Sequence, residues 1–192
     1  MNTLRNLITA LLITIVTTVL LGLIYPLAIT AIARIAFPDQ ANGQLIQRQG
    51  VTVGSRIIGQ GFTKPGYFRP RPSATSTPYD AANSAGSQLG PTNKKLIETV
   101  QANVAAARKE NPGAPVPVDL VTAFASGFDP HISPAAAEFQ LPRVARERRL
   151  AEAQLRRLVS ARTERRQLGL LGEPRVNVLE LNLALDAKPM TP

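Results

Sequence analysis

The hydrophobic pattern divides the chain into two unequal parts. From Leu7 to Ile24 nearly every position is Leu, Ile, Val or Thr, and no charged side chain occurs between Arg5 and Arg34. After that stretch, apolar residues come in short runs separated by Pro, Gly and polar positions. A bilayer core about 30 Å thick takes roughly 20 apolar helical residues to cross. The chain supplies that length once. Twelve of the residues from Leu7 to Ile24 are Leu, Ile or Val, and at about −0.3 to −0.6 kcal/mol each they favour insertion by roughly −4 to −7 kcal/mol. Thr9, Thr14, Thr17 and Thr18 can return their hydroxyls to carbonyls one turn back, so they oppose insertion little. Leu7, Leu11, Ile15, Gly22 and Ile24 are the candidate anchor residues, with Gly22 permitting close approach of a neighbouring helix. Tyr25 suits the membrane–water interface. Pro26 lacks an N–H and is expected to kink or end the straight part of the helix.

The competing reading is a cleaved signal peptide, for which Ala31-Ile32-Ala33 offers an A-x-A site. A secretory apolar core runs about 7–15 residues, and this one is longer. A buried core helix would carry a polar face. The pattern therefore favours a retained anchor over 1–36 and an extracytoplasmic domain over 37–192. Local charge does not set the orientation: only Arg5 and the amino terminus precede the span, while Arg34 and Arg48 follow it. Large domains translocate largely regardless of such counts.

Within the second part, Leu45-Ile46 and Val51-Thr52-Val53 read as short strands interrupted by Gly50 and Gly54, with Ile57 and Ile58 extending the pairing. From Gly59 to Thr92 the chain is dense in Gly, Pro, Ser and Asn, a length of loop that is usually functional or disordered; its aromatics and arginines argue against plain disorder. A helix follows, capped by Thr92 or Asn93, with Leu96, Ile97, Val100, Val104 and Ala107 on one face. Asn111-Pro112-Gly113 ends it. Ser133-Pro134 opens another helix with Ser as cap and Pro in the first turn. Pro142 is expected to start a third, with Val144, Ala151, Leu155, Leu158 and Val159 as its apolar stripe. Gly169 to Gly172 is a break. Asn177 can cap a last helix through Leu179, Leu183 and Asp186, although Val176, Val178, Leu181 and Leu183 also allow a strand. The class is α+β: one transmembrane helix, then a single domain with several helices and a small sheet.

Charge changes this picture in one place. The chain carries +9 overall, and Arg143 to Arg166 holds nine arginines against three glutamates. A basic amphipathic helix there could lie on a membrane; the alternative is a helix docked on the core with its arginines in water. An anchored domain with no nucleic-acid motif points away from nucleic acid and toward anionic lipid or an acidic protein face. The chain has no cysteine, which excludes disulfides and thiolate metal sites.

Candidate chemistry is sparse. Ser126, Asp129 and the single histidine, His131, lie close in sequence, which raises an anchored envelope hydrolase as an alternative. Phe124 stands where a nucleophile elbow needs its first Gly, and Asp129-Pro130 reads better as a turn. One His without Cys does not make an ordinary zinc framework. No phosphate loop occurs; Gly90-Pro91-Thr92-Asn93-Lys94 has the wrong spacing, although that helix start could bind an anion weakly. The residues themselves lead to an anchored binding or assembly domain with no catalytic or metal residues of its own.

Several segments resemble the C subunit of the bacterial Kdp potassium-transporting P-type ATPase. They are Gly59-Gln60-Gly61-Phe62 with Tyr67-Phe68, Arg71-Pro72-Ser73-Ala74-Thr75, Asn83-Ser84, Leu89-Gly90-Pro91-Thr92-Asn93 and Asp119-Leu120-Val121-Thr122. Asp129-Pro130-His131-Ile132-Ser133-Pro134-Ala135-Ala136, Leu168-Gly169 and Gly172-Glu173-Pro174-Arg175-Val176-Asn177-Val178-Leu179 continue the series in family order. Phe124-Ala125, Arg162 and Leu170 depart from the family's usual residues. The resemblance implies a single-pass inner-membrane subunit with its bulk in the periplasm. Its partners would be a potassium-channel-like subunit, a P-type ATPase subunit and a small single-helix subunit, alongside the lipid bilayer. ATP and potassium would belong to the complex, with no cofactor assigned to this chain. The implied role is assembly, together with raising the ATPase subunit's affinity for ATP. Under that reading the candidate contact residues are Tyr67, Phe68, Arg69, Arg71, Ser73, Asn83, Ser84, Asn93, Asp129 and His131.

Overall fold

A computed structural model describes residues 3–187. Contacts divide the chain into two units, Met1–Leu45 and Ile46–Pro192.

In the first unit, Thr3–Ala36 is the one helix among the described residues long and apolar enough to cross a membrane. At 1.5 Å per residue its 34 residues run about 51 Å. Leu7, Leu11, Ile15 and Ile24 point outward and are each about half exposed or more. Thr9, Thr14 and Thr17 donate to the carbonyls of Arg5, Ala10 and Ile13 at 2.8–2.9 Å, as the sequence suggests. Pro26 does not end the helix. Instead α1 (Thr3–Val19) passes into a π-helical turn at Leu20–Ile24, and α2 (Tyr25–Ala36) continues beyond it. The Tyr25 N–H bonds to the Leu20 carbonyl five residues back. Widening the ladder just before Pro26 makes room for a ring that would otherwise meet the carbonyl one turn earlier. A short helix α3 (Pro38–Ala41) completes this unit.

The second unit begins with a hairpin of β1 (Leu45–Arg48) and β2 (Val51–Ser55). Gln49 and Gly50 turn it with φ of 50° and 77°, the two left-handed residues a tight hairpin requires. Gly54 does not break the second strand, which runs on to Ser55, and Ile57 and Ile58 lie beyond it in a turn. A Cβ at Gly54 would meet Gln60 and Leu179 within 2.8 Å, so its glycine marks close packing. No regular element follows until α4 (Lys94–Glu110), which Asn93 caps by accepting from the Lys95 N–H at 2.9 Å. Leu96, Val100, Val104 and Ala107 are half-buried and Ile97 is exposed, so α4 rides on the surface of the loops.

The core gathers around α5 (Pro134–Arg148), α6 (Glu152–Ala161) and α7 (Val178–Asp186). They pack with a sheet of order β3-β5-β4, formed by His131–Ile132, Arg175–Asn177 and Thr163–Glu164. Both pairings are antiparallel, with Ile132 and Thr163 flanking Val176. Ser133 caps α5 by accepting from the Ala136 N–H. Pro142 does not start a helix; it sits inside α5. The roughly 3 kcal/mol that an interior proline costs is outweighed by burial of Phe139, Leu141, Val144 and Ala145 around it. The expected basic helix is therefore two helices. Arg149, with φ 55°, ends α5, and Ala151 precedes α6. Of their expected apolar stripe, Val144, Leu155, Leu158 and Val159 lie in the core, whereas Ala151, at the start of α6, is exposed. The C-terminal ambiguity resolves both ways, since β5 runs straight into α7 with Asn177 as its cap.

Candidate functional site

The segment from Pro65 to Arg69 forms no strand, yet its backbone is fully held from beneath. Phe68 is completely buried. Its N–H donates to Asn182 Oδ1 and its carbonyl accepts from Asn182 Nδ2, each at 2.9 Å. Gln140 does the same one residue on: its Oε1 accepts from the Arg69 N–H at 2.7 Å and its Nε2 donates to the Arg69 carbonyl at 3.0 Å. Two side-chain amides thus replace the ladder of a neighbouring strand. Both are 1 % exposed, and Phe68 has no exposure, so its N–H and carbonyl would otherwise lack water.

Arg143 extends the cradle. It donates to the carbonyls of Pro65 and Tyr67, to Gln140 Oε1, and to Glu110 Oε1 at 2.7 Å. Burial lowers the pKa of its guanidinium, and the hydrogen bond and charge of Glu110 oppose that shift. Glu110 also accepts from Arg69. On the outer side, Tyr67 donates to Asp186 at 3.0 Å while the Arg148 guanidinium lies 4.4 Å from its ring centre.

A second set forms around residues 71–90 and 123–131. Arg71 pairs with Asp129 at 3.2 Å and lies over the Phe124 ring. Ser73 donates to the Gly127 carbonyl and shares a 2.8 Å hydrogen bond with Thr75. Ser84 donates to the Ser126 carbonyl. Gly127 has φ 76°, and a Cβ there would sit 2.5 Å from Thr75 Cγ2. Asp129 accepts from the His131 backbone N–H at 3.0 Å, with His131 Nδ1 3.6 Å from the same oxygen. Burial raises the Asp129 carboxyl pKa, but the His131 hydrogen bonds and the Arg71 charge outweigh it and hold the group below its ordinary value. Tyr79 donates to the Arg71 carbonyl. Burial, aided by Asp129 and opposed by Arg71, pushes its phenol well above the ordinary value. A cleft of about 330 Å³ opens beside Arg71, Asp129 and His131.

The sequence candidates therefore do not converge on one place. Arg71, Ser73, Ser84, Asp129 and His131 meet in the second set. Tyr67 and Arg69 lie over the amide cradle, with Phe68 pointing into the core and offering no side-chain surface. Asn83 bonds to Asp80, and Asn93 stands apart as the cap of α4. Ser126 Oγ accepts from the Phe128 N–H. The Asp129 carboxylate accepts a nearby backbone N–H as expected, that of His131, although no backbone turn forms at Asp129-Pro130. Sequence reading missed the cradle residues Glu110, Gln140, Arg143 and Asn182. The available signal was a polar residue at a core position of an apolar helix: Gln140 beside Phe139 and Leu141, and Asn182 beside Leu181.

Among the described residues, one helix long and apolar enough to cross a membrane precedes an α+β domain, the arrangement of a single-pass membrane protein. The chain belongs to the KdpC family: the family described as "KdpC: K+-transporting ATPase, c chain" matches residues 7–187. A Koribacter versatilis protein named "Potassium-transporting ATPase KdpC subunit" is 60% identical, with 97% of each chain covered. A Rhodopseudomonas palustris protein of the same name is 58% identical over 88% of this chain and 92% of its own. One from Methylobacterium nodulans is 57% identical over 88% and 90%.

Proposed function

We propose that this chain is the accessory, non-catalytic subunit of an ATP-driven potassium uptake complex. The helix Thr3–Ala36 anchors it in the bacterial inner membrane and the rest of the chain lies in the periplasm. What carries the reading is the family match over residues 7–187 together with relatives bearing one name along nearly their whole length. Its partners are a potassium-channel-like subunit, a P-type ATPase subunit and a small single-helix subunit. Tyr67, Arg69, Arg71, Ser73, Asn83, Ser84, Asn93, Asp129 and His131 supply contact groups, and Phe68 holds the loop that presents them. In the anchor, Leu7, Leu11, Ile15, Gly22 and Ile24 meet lipid and partner helices.

Physical chemistry constrains any effect on ATP. A domain on the far side of the membrane cannot touch a cytoplasmic nucleotide, so a rise in ATP affinity must come from binding one pump state better than another. Coupling of 1–3 kcal/mol would change that affinity by roughly 5–150-fold. The test is potassium-stimulated ATP hydrolysis by the assembled pump, titrated with ATP, with and without this chain. The proposal expects the ATP requirement to rise when the chain is absent. Recovery of a fully active pump with an unchanged ATP dependence would refute it.

A further inference from the structure

Between β4 and β5 the chain forms a short hairpin whose tip carries Leu168, Leu170 and Leu171, which are 90 %, 81 % and 60 % exposed. No other part of the described domain covers them. The tip is nevertheless rigidly built. Gln167 and Leu171 exchange backbone hydrogen bonds of 2.9 Å, and the Gly169 N–H bonds to the Arg166 carbonyl. At its neck Arg166 contacts both Glu173 oxygens at 2.7 and 2.8 Å, and Arg175 pairs with Glu164 at 2.8 Å. Leu168 itself sits at φ 53°, a left-handed conformation that a leucine holds only where its surroundings impose it. Beside the tip opens a cleft of about 830 Å³ lined by Pro134, Val159, Ser160, Thr163, Gly169 and Pro174. An apolar knob and a hole thus stand next to each other.

We infer that this hairpin is a docking knob for a protein partner within the pump, its leucines entering an apolar recess edged by acidic groups. The inference rests on the subunit reading above. Charge complementarity selects the edge: Arg162 and Arg165 are exposed and form no ion pair among the described residues, so they stand ready for carboxylates. The same collar argues against lipid. A lipid-binding surface adds aromatic residues at headgroup level, whereas no aromatic occurs from Thr163 to Asn177, and two of the collar's arginines are already taken up by Glu164 and Glu173. A fluid bilayer also requires no fixed shape. A clamped neck and a left-handed leucine define one, which is the preorganisation that protein recognition exploits. Apolar anchors in desolvated pockets surrounded by a polar rim carry most of the affinity in such contacts.

Because the chain has no cysteine, Leu170→Cys gives it a single thiol. Its modification by a maleimide polymer is read as a shift of this chain's own band, whatever thiols the partners carry. The rate is compared for the full chain alone in detergent, alone in vesicles of phosphatidylethanolamine and phosphatidylglycerol, and in the complete pump. The expected result is fast modification in the first two and a slowing of about tenfold or more in the pump, as water is excluded from a core contact. An unchanged rate in the pump overturns the inference. Equal slowing in vesicles without partners overturns it in favour of lipid, and concentration-dependent slowing of the chain alone overturns it in favour of self-association. If the unaltered chain co-purifies with its partners while position 170 stays open, only this inference fails. If the chain co-purifies with nothing, the subunit reading fails first.

Discussion

Replacing Asn182 by leucine should cost this domain far more than a single amide usually does. The side chain keeps its volume but loses both hydrogen bonds to Phe68, whose N–H and carbonyl sit in a residue with no exposure. Each buried backbone group left unsatisfied costs about 1–3 kcal/mol. Two of them, offset in part by the extra apolar packing of leucine, give a loss of about 3 kcal/mol. For a chain of this size each kcal/mol moves the unfolding midpoint by about 2–4 °C, so the drop should be roughly 6–12 °C. Circular dichroism of the detergent-solubilised chain on heating measures it. A second readout is local: chymotrypsin should cleave after Tyr67 and Phe68 at temperatures where the parent chain resists, because the loop has lost its cradle. Gln140→Leu should act similarly through Arg69. A midpoint within about 1 °C of the parent, with no new cleavage, would refute the claim that buried amides stand in for a strand partner.

Other outcomes follow from the same structure. Asp129 titrates below its ordinary value of 3.8 in the folded chain, so its stabilisation is complete above that value and is lost as the pH falls through the folded pKa. Asp129→Asn should therefore lower stability at neutral pH and shrink the acid-induced drop, as measured by unfolding midpoints across the acid range. Gly127→Ala forces a Cβ to 2.5 Å from Thr75 Cγ2 at φ 76° and should destabilise by about 1–3 kcal/mol; urea titration of the full chain checks it. Pro26→Ala restores the missing donor and should return Leu20–Ile24 to an ordinary α-helical ladder, seen as amide chemical shifts in micelles. A π-turn that persists would show that Pro26 is not its cause.

The long apolar helix, the cap at Asn93, the Ser133-Pro134 helix start and the bond from the Asp129 carboxylate to a nearby backbone N–H were legible because each depends on residues near one another in sequence. The errors share the opposite property. Pro142 reads as a helix start locally, but tertiary burial of Phe139, Leu141 and Val144 carries α5 through it. Pro26 reads as a kink or an end of the straight helix; the helix runs on, and a π-turn just before the ring takes up the disturbance. The arginine-rich stretch reads as one amphipathic helix. Its members instead reach distant carboxylates, Arg143 to Glu110, Arg148 to Asp186 and Arg156 to Glu138. The stretch from Gly59 to Thr92 was legible as a loop, but its support from Gln140 and Asn182 was not. Those amides lie 71 and 114 residues away in sequence from the atoms they bind, and nothing in local periodicity encodes such a pairing. The leucine tip hid behind Gly169 and Gly172, which mark a turn without saying what it presents.

A pump subunit stays in the membrane and travels with its partners. The direct measurement is gentle detergent extraction of native membranes through a tag at the carboxyl terminus, followed by intact-mass analysis of everything recovered. Extraction should yield a chain that retains the Thr3–Ala36 helix, with a P-type ATPase subunit recovered alongside it in constant ratio. A chain trimmed after Ala33, or a full-length chain that emerges alone, would contradict it.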